Sequence, residues 1–324
     1  MLAVGDAVQI AGCSTKKRIL ETSSGCESFD SLLGGALSNS SIVLIDEVFS
    51  QYHGKFLNRA FLAEGEFNKH VNFVAGPRDK INQHLIEHIP MQKAAKNDVK
   101  QNEGPNENMQ IAWRYEKIGK VDSGIVSGAK KEIQFDYGNP ISEPTTKVLP
   151  VSRFSDLYEK LYELLTSTEH VKGGSRAQKK SLLRLVVQNV ADPRWEDRQS
   201  LPKFLVLLRK LLRNSYAVVY LYLNSVDANS PIVQDISSYC DVHVQLQQFN
   251  DAEAKEMKHL GGANGFFRLI RLPRLASVGM HVPPIVDLVF ETSSTKGFQI
   301  RILHLPPALG DDQEKKTNSC NIDF

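Results

Sequence analysis

Residues 25–65 read GCESFDSLLGGALSNSSIVLIDEVFSQYHGKFLNRAFLAEG. A glycine precedes Phe29-Asp30 and Leu32-Leu33-Gly34-Gly35. The short apolar run Ile42–Ile45 follows, then a loop, then the amphipathic segment Lys55–Phe67. A buried strand, a loop carrying Gly-Lys and a helix, in that order, make up a phosphate-binding loop. In a working loop, GxxxxGK[ST], glycines let backbone N–H groups close around the phosphates, the lysine reaches the outer phosphates, and the hydroxyl holds Mg²⁺. Gly54 and Lys55 are present here, but Phe49 stands at the first glycine position and Phe56 at the hydroxyl position. Phe49 lacks the backbone freedom of glycine, and Phe56 cannot ligate a cation. Asp46 and Glu47 add two carboxylates at the end of the strand. Each is expected to oppose a triphosphate by about 1 kcal/mol or more in a partly desolvated site.

The same pattern continues along the chain. Val71–Ala75, Leu182–Val190, Ala217–Leu223 and Val242–Leu246 read as strands buried on both faces. Helices are expected over 152–166, capped by Ser152 or Ser155, and over 200–213, with Ser200 as N-cap and Pro202 in the first turn. Lys55–Phe67 and Asp79–Ile89 read as shorter helices. Alternating strands and helices predict an α/β layered fold of RecA type: a mostly parallel central sheet flanked by helices, with a degenerate phosphate loop. Phe266–Leu272, Val286–Glu291 and Phe298–Leu303 follow as strands, the last two suggesting an antiparallel hairpin at a sheet edge. In this architecture the strand ending at Gln188-Asn189 is the one on which an ATPase puts an acidic residue for Mg²⁺ and water. Both positions carry amides, so the Mg²⁺ site is degenerate too.

The chain has 324 residues, 41% hydrophobic and 23% charged. Lys and Arg number 39 and Asp and Glu 37, a formal charge of +2, so any polyanion site must be a local patch. The expected organisation is a flexible N-terminus over 1–20, one RecA-like domain over 21–309 and a polar tail over 310–324. Segments 91–108, 119–150 and 170–181 are expected to be inserted loops that contribute nothing to a core. The longest clean apolar run, Ala217–Leu223, is far short of the ~20 residues of a membrane span. Asp6 interrupts the apolar start, and no basic residue precedes it, so no signal peptide is expected. Cys13, Cys26, Cys240 and Cys320 lack CxxC spacing, which fits reduced thiols in the cytoplasm or nucleus.

Five stretches carry a resemblance: 25–37 with FLAEG at 61–65, IAWRY at 111–115, LLRLVVQNVADPRW at 182–195, LPKFLVLLRKLLR at 201–213, and LHLPPALGD at 303–311. The Ile322-Asp323-Phe324 terminus adds to it. Together they resemble the family of fourth subunits of the Elongator complex. The resemblance implies a non-catalytic RecA-like subunit that forms a hetero-hexameric ring with the fifth and sixth subunits. That ring binds tRNA and serves a catalytic subassembly of subunits one to three that modifies the wobble uridine. It also implies that this chain alone holds no cofactor, with ATP at ring interfaces. The alternative reading is a divergent RecA-family ATPase acting through an atypical loop around Lys55.

Two loops are candidate RNA contacts. Arg194, Trp195 and Arg198 interleave charge with an aromatic, suiting phosphate neutralisation and base stacking. Lys172, Arg176, Lys179 and Lys180 form a basic loop suited to a phosphate backbone. Arg268 and Arg271, three apart on a strand, are expected on opposite faces and not in one patch. His84-Leu85-Ile86-Glu87-His88 matches HxxEH, a zinc-protease spacing, but Pro90 ends the helix and no third ligand is apparent, so no metal site is expected.

Overall fold

The computed structural model describes residues 8–16, 19–93, 135–173, 179–227, 230–257, 262–273, 283 and 286–303. Near the N-terminus, β1 (Cys13–Lys16) and β2 (Ile19–Thr22) form a hairpin. Helix α1 (Glu27–Leu32) follows, and β3 (Leu37–Ser38) returns to pair with β2. The central sheet begins with β4 (Ile42–Val48), buried at every position. Then come α2 (Gly54–Phe67), β5 (Val71–Ala75), α3 (Asp79–Glu87), β6 (Pro90–Gln92), β7 (Phe135–Pro140), β8 (Lys147–Leu149) and α4 (Phe154–Leu165). The remaining elements are β9 (Leu183–Val187), α5 (Leu201–Arg213), β10 (Ala217–Ser225), α6 (Pro231–Ser238), β11 (Val242–Gln248), α7 (Asp251–Glu256), β12 (Gly265–Arg271), β13 (Leu288–Ser293) and β14 (Gly297–Ile302).

The strand order is β14-β13-β12-β11-β4-β10-β9-β5-β8. From β11 to β8 all neighbours are parallel, and β12, β13 and β14 extend the sheet antiparallel. The expected RecA-type layering and the edge hairpin are both present. Alternation along each strand divides the interior into two layers. Val43, Ile45, Val186 and Tyr220 pack with Phe29, Phe61 and Phe267, whereas Ile42, Leu44, Leu185 and Leu221 pack with Phe154, Leu157 and Leu208.

Several expectations need correction. Segment 1–20 contributes β1 and the start of β2, and Ile10 is buried beside Leu182 and Tyr216. Segment 119–150 is not a plain loop. Phe135 enters one core layer, Leu149 the other, and β8 forms a sheet edge. At three residues β8 is too short for its periodicity to register. It is held by Glu66, which accepts from the backbone N–H groups of Thr145 and Thr146 at 3.0 and 2.7 Å. Helix α4 takes no cap from Ser152 or Ser155. The Asp197 carboxylate, 43 residues downstream of Phe154, accepts from Phe154 N–H at 2.7 Å and Ser155 N–H at 3.1 Å. Ser200 precedes α5 as expected, but its side chain makes no cap bond.

Arg184 sits in β9 among apolar neighbours and is fully buried. It donates to His70 Nδ1, Phe61 O, Thr22 Oγ1 and Ser23 O at 2.6–3.0 Å, joining the small N-terminal sheet to the central one. The Phe61 ring lies 4.6 Å beneath its guanidinium and stacks on Tyr220.

Candidate functional site

The loop between β4 and α2 occupies the phosphate-loop position. Strands β10 and β11 flank β4 in parallel, pairing Asn224 and Leu246 with Glu47. Phe49 N–H donates to Ser225 O, and Asn224 Nδ2 donates to Ser50 O, so β10 holds the start of the loop. Phe49 has φ +64°, the left-handed conformation glycine adopts freely, and its side chain is 63% exposed. The turn has kept its glycine-like backbone, at about 1–2 kcal/mol for a bulky residue.

The sequence assigns Glu47 a repulsive role, and the structure gives it a different one. Its carboxylate is fully buried. Oε1 accepts from the backbone N–H groups of Tyr52 at 2.9 Å and His53 at 2.8 Å. Oε2 accepts from Gly54 N–H at 2.7 Å and from the Tyr222 hydroxyl at 2.6 Å. These backbone donors belong to the loop and to the first turn of α2, the groups a phosphate loop points at its anion. Glu47 therefore fills the nest from within. Gly54 permits it: a Cβ there would lie 2.4 Å from Tyr222 Cε2 and 2.9 Å from Glu47 Oε2. Burial beside Glu47 pushes the Tyr222 phenol well above its usual range, so it stays a donor.

Lys55, Phe56 and Asp46 are also engaged within the chain. Lys55 lays its ammonium 3.9 Å above the Tyr52 ring, and burial, together with Arg59, holds it below the usual lysine range. Phe56 is buried against Tyr52 and Tyr137. Asp46 accepts from Ser225 Oγ at 2.6 Å and Gln245 Nε2 at 3.0 Å, and burial raises its carboxyl. At the end of β9, Gln188 is buried with its Nε2 unpaired, and Asn189 adopts φ +49°. Neither supplies a carboxylate for Mg²⁺.

The first candidate RNA loop divides. Arg194 and Arg198 are exposed, but Trp195 is 1% exposed. It stacks on Phe154 at 4.1 Å, and its Nε1–H donates to Asn189 O at 3.0 Å. Buried against Phe154, Trp195 offers no face to a base, and that contact with α4 is invisible to a local reading of the loop. In the second loop Lys179 is exposed, whereas Lys180 is buried and donates to Thr168 O, Val171 O and Gly173 O. Lys172 donates to Ser40 Oγ and Arg213 O, while Arg176 lies outside the described residues. Two of the four basic groups therefore serve the fold.

His84 and His88 of the HxxEH motif stack at 4.3 Å. Arg59 Nη2 lies 3.3 Å from His84 Nδ1, and a guanidinium only donates, so that ring nitrogen accepts. Among the described residues no group of three His, Cys, Asp or Glu side chains is placed to hold a metal ion. Also among them, no helix is long and apolar enough to cross a membrane.

Among solved structures, the KaiC-like protein PH0186 of Pyrococcus horikoshii covers 87% of this chain, and 99% of its own, at 11% identity and a TM-score of 0.46. Elongator complex protein 4 of Homo sapiens is 30% identical, over 94% of this chain and 81% of its own length. The Xenopus laevis protein of that name is also 30% identical, over 90% of this chain and 81% of its own. The family model described as PAXNEB protein matches residues 10–323, nearly the whole chain, and with these relatives it shows that the chain belongs to the PAXNEB family, that of Elongator complex protein 4.

Proposed function

We propose that this chain is a non-catalytic subunit of the Elongator complex. In this reading it is one RecA-like component of a hetero-hexameric ring with the fifth and sixth subunits. The ring binds tRNA, in the cytoplasm or nucleus, and supports wobble-uridine modification by the catalytic subassembly of subunits one to three. The observation that carries the non-catalytic part is the Glu47 carboxylate in the phosphate nest, accepting four hydrogen bonds. A triphosphate would have to displace a buried carboxylate and meet neither a Ser/Thr hydroxyl nor a β9 carboxylate. Any ATP at the ring then binds where a neighbour contributes the working groups. Of the candidate RNA contacts among the described residues, Arg194, Arg198 and Lys179 are exposed and could meet a tRNA backbone.

Native mass spectrometry of the endogenous assembly tests the ring, which predicts two paralogous RecA-like partners. A stable monomer without them contradicts it. Mg-ATP hydrolysis by the purified chain and its Lys55→Ala variant tests the enzymatic part. Turnover lost in the variant would restore an ATPase reading; absence of turnover in both fits the scaffold. Charge removal at Arg194 and Arg198 should flatten the salt dependence of tRNA binding by the assembled ring. An unchanged slope removes that loop from the RNA path.

A further inference from the structure

Strand β12 pairs antiparallel with β11, and the pairing slips once. Gln245 faces Arg268 and Val244 faces Leu269, but His243 faces Arg271. Ile270 is therefore an extra residue, a β-bulge. On an unbroken strand Arg268 and Arg271 would point to opposite faces. The inserted residue returns both to the face that carries His243 and Gln245. With the C-terminal turn of α6 they line a cavity of about 370 Å³.

The charged side chains that line the cleft are both cationic, and the carboxylate of Asp46 sits behind Gln245 and is held by it. Arg271 Nη1 donates to Ser237 O at 2.7 Å and Ser238 O at 3.1 Å, which are neutral acceptors. Arg268 makes no hydrogen bond or ion pair to a described residue, and the Phe266 ring lies 6.0 Å from its guanidinium. No Asp or Glu side chain lines the cavity among the described residues. His243 is 3% exposed, with Nδ1 2.9 Å from Ser237 Oγ and a buried Nε2 that has no partner. A buried polar atom without a protein partner is commonly satisfied by water or an ion, so this one can take a donor or acceptor from outside the fold. Burial, with Arg271 nearby, holds the imidazole down to about 4, so at neutral pH it carries a single N–H. When the Ser237 hydroxyl donates to Nδ1, that N–H is on Nε2.

We propose that the cleft between α6 and β12 binds a phosphate ester, with Arg268 and Arg271 as charged donors and His243 behind them. Planar guanidinium forks suit phosphate oxygens. The volume falls in the range of small-molecule sites, which leaves room for the organic part of the ester beside Val233 and Ile270. The site uses none of the groups that fill the nest at Glu47 and needs no ring partner, so it stands or falls independently of the proposed function.

The test uses the purified full-length chain, with thermal unfolding and calorimetry in sodium phosphate against sodium chloride at matched ionic strength. Uridine monophosphate and a labelled eight-nucleotide oligouridylate serve as ester probes. Arg268→Gln is the main variant, because Arg268 holds no other element in place. Arg213→Gln, a charge-matched surface change on α5, is the control. Phosphate and uridine monophosphate should bind the wild-type chain and the control alike, and Arg268→Gln about tenfold more weakly, from loss of one charge-assisted contact. Phosphate that acts no differently from chloride overturns the proposal. So does equal binding by Arg268→Gln, or equal weakening by Arg213→Gln. An oligonucleotide that competes with phosphate and is weakened by Arg268→Gln identifies a nucleic-acid backbone as the source. One indifferent to the substitution, with uridine monophosphate still sensitive to it, identifies a free nucleotide. Both results support the site.

Discussion

Replacing Glu47 by glutamine keeps the shape of the side chain and removes its charge. Each oxygen now accepts from two donors, and an amide nitrogen in either place would face donors. The least costly orientation sets the new NH2 against Tyr222, whose hydroxyl can turn to accept. Gly54 N–H then loses its acceptor, which costs about 1–3 kcal/mol for a buried donor. The bonds from Tyr52 and His53 fall from charge-assisted to neutral strength, about 0.5–1 kcal/mol each. The sum is about 2–5 kcal/mol, against the 5–15 kcal/mol that stabilises a typical domain. Glu47→Gln should therefore fold but unfold at a clearly lower urea midpoint, with an unchanged m-value. A loop carboxylate in contact with water would cost no more than about 0.5 kcal/mol on the same change. A loss that small would refute the internal-anion account.

Gly54→Ala places a Cβ 2.4 Å from Tyr222 and 2.9 Å from Glu47. Despite better helix propensity it should destabilise by about 1–3 kcal/mol in urea unfolding. Asp197→Ala uncaps α4 and should cost about 1–2 kcal/mol by the same assay, whereas Asp197→Asn, which keeps an acceptor, should cost less. Acid should also weaken the fold. Burial lowers His70 to about 3 and His243 to about 4, so the unfolded chain binds their protons first as pH falls through about 6.5. Stability contributed by these rings is present above that pH and is lost toward pH 4, each at up to about 1.4 kcal/mol per pH unit. Asp30, raised to about 6 by burial, protonates more readily in the folded state and opposes one of them between about pH 6 and 4. His70→Gln, which can still donate to Ala11 O and accept from Arg184, should flatten the pH profile of urea midpoints; an unaltered profile contradicts the assignment.

The parallel core was legible because β4 and β10 open on continuous apolar runs, β5 and β11 are rich in β-branched and apolar residues, and the helices between them carry apolar stripes. What escaped the sequence depends on contacts distant along the chain. Strand β8 is held by Glu66 from α2, and the α4 cap comes from Asp197, beyond β9. Trp195 looked like a stacking residue because its neighbours are charged, and Phe154 covers it. A bulge at Ile270 undid the alternation rule that separated Arg268 from Arg271. At the phosphate loop, Phe49, Gly54, Lys55 and Phe56 lie between the end of β4 and the first turn of α2. The carboxylate at Glu47 was read for its charge, and its reach into the loop was missed. The available signal was an acid near the end of a buried strand, next to a loop that keeps Gly-Lys but has lost its hydroxyl.

Amide hydrogen exchange at Tyr52, His53 and Gly54, in the nucleotide-free chain and again with Mg-ATP, addresses the filled nest most directly. First-turn amides of a helix ordinarily lack acceptors and exchange freely. The account predicts that these three are protected without nucleotide and unchanged when Mg-ATP is added. Fast exchange that slows only when Mg-ATP is present would contradict it.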